Sequence, residues 1–266
     1  MEQAARTQVI AVDVGNTTTG FGLFSISGSS APELMGSCEL TTPARLTVDE
    51  ARIQLAQALS LLPAAAPAGA ILSCVVPALT GSWRHALAAS SASRPLTVGP
   101  GLKTGLAMRY DDPAEVGADR IADAVAARAS YGAPAIVVDL GTTTNIEVID
   151  ASGAFAGGII APGAALGARS LADAAARLPV IELMRPKRAI GRSTREAMQA
   201  GIVLGEAARI DGLLDAVLRE LEADAPIVIT GDNAVGIAKL LQHRTTVDAS
   251  LTLRGLALLW QANQRR

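Results

Sequence analysis

The sequence predicts an α/β protein built as two related halves, and three observations carry that prediction. Short β-branched runs alternate with longer Ala-rich stretches whose apolar residues recur at three- and four-residue spacing. A strand, an Asp-x-Gly turn and a second strand occur twice, with Asp13 and Asp139 separated by 126 positions. Hydrophobic residues make up 50% of the 266 and aromatics only 3%, so the core must come from Ala, Leu, Val and Ile. That length suits one large domain or two modest ones. The repeat divides the chain into expected domains at 1–120 and 121–266.

The elements follow in order. Val9–Val14 is an apolar run closed by Asp13-Val14-Gly15-Asn16-Thr17-Thr18-Thr19, and Gly20–Phe24 is the strand that returns from it. Thr47–Leu62 carries helical periodicity, Ala70–Val76 reads as a buried strand and Gly81–Ser90 as a helix. Val116–Tyr131 is an Ala-rich helix stopped by Gly132 and Pro134. The second hairpin is Ala135–Leu140, a turn at Gly141-Thr142, and Ile146–Asp150. Gly157–Pro162 is a short strand, Leu166–Arg177 and Ser193–Leu221 are helical, and Ile227–Ile229 is a strand entering Thr230-Gly231-Asp232-Asn233. Leu253–Gln264 is the closing helix.

Composition excludes several function classes. A net charge of −2 offers no basic field for nucleic acid or an anionic membrane, and the few aromatics build no base-stacking platform. Cys38, Cys74, His85 and His243 lack metal-ligand spacing, and two cysteines in a chain this long make no disulfide scaffold. A cytoplasmic location is expected, since residues 1–8 carry no apolar leader. The charge-free stretch Ile53–Trp83 is broken by Pro63, Pro67 and Pro77, so it reads as helix, loop and strand and not as a membrane span. No Gly-x-x-x-x-Gly-Lys-Ser/Thr loop, dinucleotide Gly-x-Gly-x-x-Gly or Gly-x-Ser-x-Gly elbow is present.

Two constellations carry chemistry. In each Asp-x-Gly hairpin the Gly allows a sharp bend that brings N–H groups near a ligand, and the adjoining Asn and Thr side chains donate to phosphate oxygens. An Asp at the strand end can hold a hydrated Mg²⁺ or another cation beside those phosphates, and Asp13 is expected to hold Mg²⁺ through water. One such turn is ordinary; two at matched positions point to a clamp on a nucleotide across an interdomain cleft. The second constellation is Gly117-Ala118-Asp119-Arg120 at the start of the Ala-rich helix. Asp119 is either a first-turn acid complementing the helix dipole or a base orienting a substrate hydroxyl. Arg120 is correspondingly a solvated cation or a carboxylate clamp.

The chain resembles the type III pantothenate kinases along nearly its whole length. The resemblance is carried by Asp13-Val14-Gly15-Asn16-Thr17, Ser73-Cys74-Val75-Val76-Pro77, Val98–Leu106, Tyr110, Pro113, Glu115–Arg120, Val138–Thr142, Gly157–Gly163, Leu178-Pro179, Ile190–Thr194 and Met198–Gly201. It implies an actin-like (ribonuclease H-like) duplicated fold, and a homodimer whose sites are completed across the interface. The implied activity is phosphorylation of pantothenate by ATP to 4′-phosphopantothenate, the first step of coenzyme A biosynthesis. ATP would lie along Asp13, Val14, Gly15, Asn16, Thr17, Thr18, Thr19 and Gly20, met by Thr142. Asp119 would accept the proton. Tyr110, Gly117, Ala118, Asp119, Arg120 and Thr194 would line the pantothenate site, with Thr194 reaching over from the second copy. Asp139 would hold a monovalent cation, K⁺ or NH₄⁺, offsetting phosphate charge beside Mg²⁺.

The chain departs from the family's usual pattern at four places. Thr143-Thr144-Asn145 follows Thr142 in place of Ala-Thr-Thr, Gly231-Asp232 stands for a glycine pair, and Asp112 and Asp123 replace Asn. Asp232 would crowd or repel a nucleotide passing that turn. Asn145 and Asp232 therefore support an alternative, a non-catalytic paralogue acting as an accessory or regulatory factor. A kinase for another small hydroxy acid, or an ATPase without an acceptor, are further alternatives. Cys38 and Cys74 are expected as buried thiols, His85 on a helix surface and His243 in a polar turn. Arg185, Lys187, Arg188, Arg192 and Arg195 form either a solvated face or a dimer-interface strip.

Overall fold

β-Branched and aromatic residues draw Thr7–Val14 (β1) and Thr18–Ile26 (β2) into an antiparallel hairpin, with Glu33–Thr41 (β3) continuing the meander. The computed structural model describes residues 6–63 and 66–264. Residues 1–5, on which the leaderless N-terminus reading mainly rests, lie outside the described residues. So do 64–65, in the stretch read as a loop, and 265–266.

After β3 come Val48–Leu61 (α1), Gly69–Cys74 (β4), Pro77–Ser90 (α2) and Leu96–Thr97 (β5). The first sheet has the order β3-β2-β1-β4-β5, antiparallel across β1–β3 and parallel across β1, β4 and β5. A 3₁₀ turn, Pro113–Glu115, precedes Ala118–Tyr131 (α3). Then follow Ala135–Leu140 (β6), Thr143–Ile149 (β7), Phe155–Pro162 (β8), Ala164–Ala174 (α4) and Thr194–Gln199 (α5). A π turn, Ala200–Leu204, runs into Gly205–Leu221 (α6), and Ile227–Gly231 (β9), Ala234–Ala238 (α7), Thr245–Val247 (β10) and Leu251–Ala262 (α8) end the chain. The second sheet reads β8-β7-β6-β9-β10 with the same pattern of antiparallel and parallel pairs, so the duplication seen in the sequence is a duplication of topology.

The chain forms two compact units. The first comprises residues through 106, 111–129 and 250 onward, and the second residues 107–110 and 130–249. A division at 120/121 therefore does not describe the molecule: it cuts the first turn of α3, most of which belongs to the first unit, and α8 returns to that unit. The reason is packing. Gly255 of α8 lies so close to α3 that a Cβ there would stand 1.9 Å from the Ala122 carbonyl oxygen, and Trp260 rests on Gly69 of β4.

In the first unit Ile10, Val12, Val14, Phe21, Leu23 and Leu72 point to one face and pack against Ala51, Leu55 and Ala58 of α1 and Leu79, Trp83 and Leu87 of α2. The Trp83 and Phe21 rings lie 5.6 Å apart, tilted at 59° to each other, within the centroid range of aromatic pairs. Helix α1 starts where Thr47 accepts from the Glu50 N–H and the Glu50 carboxylate accepts from the Thr47 N–H, a reciprocal cap. In the second unit Ile136, Val138, Leu140, Ile146 and Val148 face Ile210, Leu214 and Val217 of α6 and Ile237 of α7.

Most predicted helices and strands stand within a few residues of expectation, with α4 ending at Ala174 and not at Arg177. Strand β3 was missed because its residues are largely exposed: it pairs by backbone at the sheet margin and buries little. Cys38 and Cys74 are free but only half-buried, each against the first core, which corrects the expectation of full burial. His85 is exposed on α2, with Nδ1 2.7 Å from the Gly81 carbonyl oxygen. His243 is no free turn residue: Nδ1 stands 2.9 Å from Asp211 Oδ1 and Nε2 3.1 Å from Asp215 Oδ1, tying the loop before β10 to α6.

Candidate active site

In the first unit, β1 delivers Asp13 to the sheet end, paired with Gly20 on β2 and with Ser73 on β4. The turn is closed by Gly15, whose N–H donates to the Thr18 carbonyl oxygen at 2.9 Å. Asn16 and Thr17 stand exposed at its tip, while Thr19 is buried with its hydroxyl 2.8 Å from that of Thr42. Asp13 Oδ1 is shut off from solvent without a hydrogen-bond partner. Burial, then the field of Asp119, raise the Asp13 carboxyl from its ordinary 3.8 to about 7, against a smaller opposing effect of the Ser73 hydroxyl.

Asp119 occupies the first turn of α3 and is half-buried. Its Oδ1 accepts from the Arg120 N–H at 2.8 Å and lies over Gly117, where a Cβ would come within 2.4 Å of it. Gly117 is thus the residue that lets the carboxylate fold back over the chain. Burial raises the Asp119 pKa, and the Arg120 N–H and guanidinium hold it down in part. Arg120 itself is 5% exposed, so its reading as a solvated cation is corrected. The Asp119 carboxylate is thus biased toward proton uptake beside a buried guanidinium.

The second unit repeats the arrangement with different detail. Asp139 is half-buried, paired with Asn145 on β7 and Thr230 on β9. The turn is shorter, with Gly141 N–H donating to the Thr143 carbonyl oxygen at 2.9 Å and Gly163 N–H to that of Thr142 at 3.0 Å. Thr144 donates at 2.5 Å to the buried Glu206 on α6. Glu206 also pairs with Arg209, which donates at 2.7 Å to the Pro162 carbonyl oxygen. This network ties the β6–β7 hairpin to the end of β8. It was not legible beforehand, since Glu206 and Arg209 look like an exposed helical pair and only Thr144 lay in a marked motif.

The remaining site residues divide between the units. Gly117, Ala118, Asp119 and Arg120 belong to the first, and Tyr110, Thr142 and Thr194 to the second. Tyr110 packs its ring 6.1 Å from Phe155. Thr194 is exposed at the start of α5, which Ser193 caps. Asp232 is exposed, its N–H donating to the Leu140 carbonyl oxygen at 2.5 Å, and Asp112 caps the 3₁₀ turn. Asp123 and Asn145 are buried. Arg185, Lys187, Arg188, Arg192 and Arg195 are all exposed. Among the described residues no group of three or more His, Cys, Asp or Glu is placed to hold a metal, and no helix is long and apolar enough to cross a membrane.

Two sheets of one topology, each carrying an Asp at the end of its central strand before a hydroxyl-rich turn, define the actin-like class of α/β proteins. The ethanolamine utilization protein EutJ from Carboxydothermus hydrogenoformans shares the fold, with a TM-score of 0.55 over 97% of this chain and 92% of that one at 15% identity. Within this class the chain belongs to the type III pantothenate kinase family, whose family model matches residues 9–216. The type III pantothenate kinase of Rhodospirillum centenum is 39% identical over 97% of this chain and 100% of its own length. That of Thermomicrobium roseum is 40% identical over 97% and 98%.

Proposed function

We propose that this chain transfers the terminal phosphoryl group of ATP to the primary hydroxyl of pantothenate, yielding 4′-phosphopantothenate and ADP at the entry to coenzyme A biosynthesis. The observation that supports this best is the pair of carboxylates Asp13 and Asp119 in one unit, both biased toward proton uptake by burial. Asp119 orients the hydroxyl and takes its proton as the oxygen bonds to the γ-phosphorus and the bond to the β–γ bridging oxygen breaks. Phosphoryl transfer has a loose transition state, so the base acts late and positioning matters most. Backbone N–H groups and hydroxyls of Val14–Gly20, with Thr142, bind the phosphates. Buried Arg120 balances the pantothenate carboxylate, and Gly117, Ala118 and Tyr110 complete that site.

Asp13 fits a hydrated Mg²⁺, because its Oδ1 lacks a hydrogen-bond partner and its charged form is held back only by burial and Asp119. Mg²⁺ would neutralise phosphate charge, and a monovalent cation at Asp139 would add to that. Thr194 serves the site of a second copy in a homodimer, which its exposure at the α5 start and the exposed apolar Val180 and Ile190 support. The free thiols fit a cytoplasmic enzyme.

The test is ADP release with MgATP, with and without pantothenate, in K⁺ and in Na⁺ buffer. Release that needs pantothenate and collapses in Na⁺ is expected. Asp119→Asn should lower turnover by roughly 10²–10⁴-fold while pantothenate still binds. Unchanged turnover in that variant would remove the base assignment, and ADP release indifferent to pantothenate would make the chain an ATPase.

A further inference from the structure

The two hairpins place their acids in the same register but surround them differently. Asp13 has Gly20 opposite on β2 and Ser73 on β4; Asp139 has Asn145 opposite on β7 and Thr230 on β9. Residues directly opposite in a sheet project to the same face, so Asn145, Asp139 and Thr230 form a row of oxygen-bearing side chains across three adjacent strands. In the first row the position of Asn145 is a glycine, which brings no donor.

Asn145 is 7% exposed, and its Oδ1 has no hydrogen-bond partner. A buried amide oxygen left without a donor is unfavourable, and native folds rarely keep one without a compensating ligand. Thr230 is 2% exposed, and the backbone of Gly231 crowds Asp139 Oδ1, where a Cβ would come within 2.5 Å. Glycine at 231 leaves that carboxylate the room a side chain would take.

We infer that the Asn145 side-chain carbonyl is a ligand of a monovalent cation at Asp139, with the Thr230 hydroxyl on the other side of the carboxylate. The inference rests on the assignment of a cation to Asp139 and adds to it a residue by which this chain departs from its family. One carboxylate with an amide and a hydroxyl oxygen gives the row a single formal charge. That suits a large, weakly hydrated monovalent ion better than Mg²⁺, which demands octahedral geometry and keeps its waters. Oxygen dipoles of this kind replace the hydration shell of K⁺ elsewhere in proteins. Asn145 is then a cation-binding device and no sign of lost activity.

The experiment is a titration of the thermal midpoint with KCl, NH₄Cl or NaCl, choline chloride keeping ionic strength constant, with and without MgADP. The full-length wild type is compared with Asp139→Asn, Asn145→Leu and the nearly isosteric Asn145→Asp at pH 8. A midpoint raised by K⁺ in the wild type and unresponsive in Asp139→Asn is expected. Asn145→Leu should need at least tenfold more K⁺ for the half-maximal shift, and Asn145→Asp, with a second charge in the row, severalfold less. If both Asn145 variants titrate within twofold of the wild type while Asp139→Asn has lost its response, the inference is overturned and the Asp139 assignment stands. If the wild type shows no K⁺-specific shift, or Asp139→Asn keeps it, the Asp139 assignment fails and takes the inference with it.

Discussion

Asp119 acts on Asp13: from the first turn of α3 its charge raises the proton affinity of the β1 carboxyl group, an effect second only to burial. The two acids stand in one unit though they are more than a hundred residues apart in sequence. Asp119 therefore bears on how Asp13 titrates and, through that, on stability.

The raised pKa of Asp13 makes it a source of instability at neutral pH. Its folded value of about 7 lies above the ordinary 3.8, so the native state binds the proton that the unfolded chain releases. Stability is lost as pH rises through that window and stays lost above it. Asp13→Asn cannot ionise, so its gain in Tm over wild type should be absent near pH 4, grow to about pH 7 and then level at roughly 5 °C. Scans without Mg²⁺ or nucleotide at three pH values check this, and the same variant should lose activity.

The acid limb of kcat/KM reports the free enzyme's base. Burial raises the Asp119 pKa while Arg120 lowers it, so the wild-type limb should lie above the usual carboxylate range. Arg120→Gln removes a positive charge that favours ionised Asp119. Its limb should therefore move to higher pH while KM for pantothenate increases. A limb that stays put would separate Arg120 from the base.

Thr144→Val leaves Glu206 Oε1 without its buried donor. A loss of about 1–3 kcal/mol in urea unfolding is expected, because Oε1 keeps its desolvation and loses its donor while Arg209 still pairs with Oε2. Glu206→Gln together with Thr144→Val should cost less than the sum of the two single changes, as residues of one network do.

Two glycines on helices should respond oppositely to alanine. Gly255→Ala drives a methyl into the Ala122 carbonyl of α3 and should destabilise by about 2 kcal/mol. At Gly212, inside α6, a Cβ meets nothing within 4 Å, so Gly212→Ala should stabilise by about 0.5–1 kcal/mol through helix propensity. Chemical denaturation of the two variants side by side reads both signs.

Helices α1, α3 and α8 and strands β1, β4 and β6 were legible because each buries one face or both, which imposes period or unbroken apolarity on its residues. Strands β3 and β10 and the short α7 were not, since sheet-edge pairing and a single helical turn leave little pattern. The same logic divides the site. Asp13, Asp139 and the Asp119-Arg120 pair were marked by turn chemistry and by the family's motif, which are local. The Thr144–Glu206–Arg209 network joins Thr144 to an acid 62 positions further on, in a helix that looks ordinary on its own.

The sequence by itself determined the α/β class, the duplication, the two acid-bearing turns and the family, because all of these are properties of short runs and their repetition. Tertiary structure alone decided that α8 belongs with the first unit, that Arg120 is buried, and that Asp119 bears on Asp13. It also decided that Asn145 stands opposite Asp139 with an unanswered oxygen. Those facts depend on which backbone comes near which, and strand register and helix packing fix that only once the whole chain has folded.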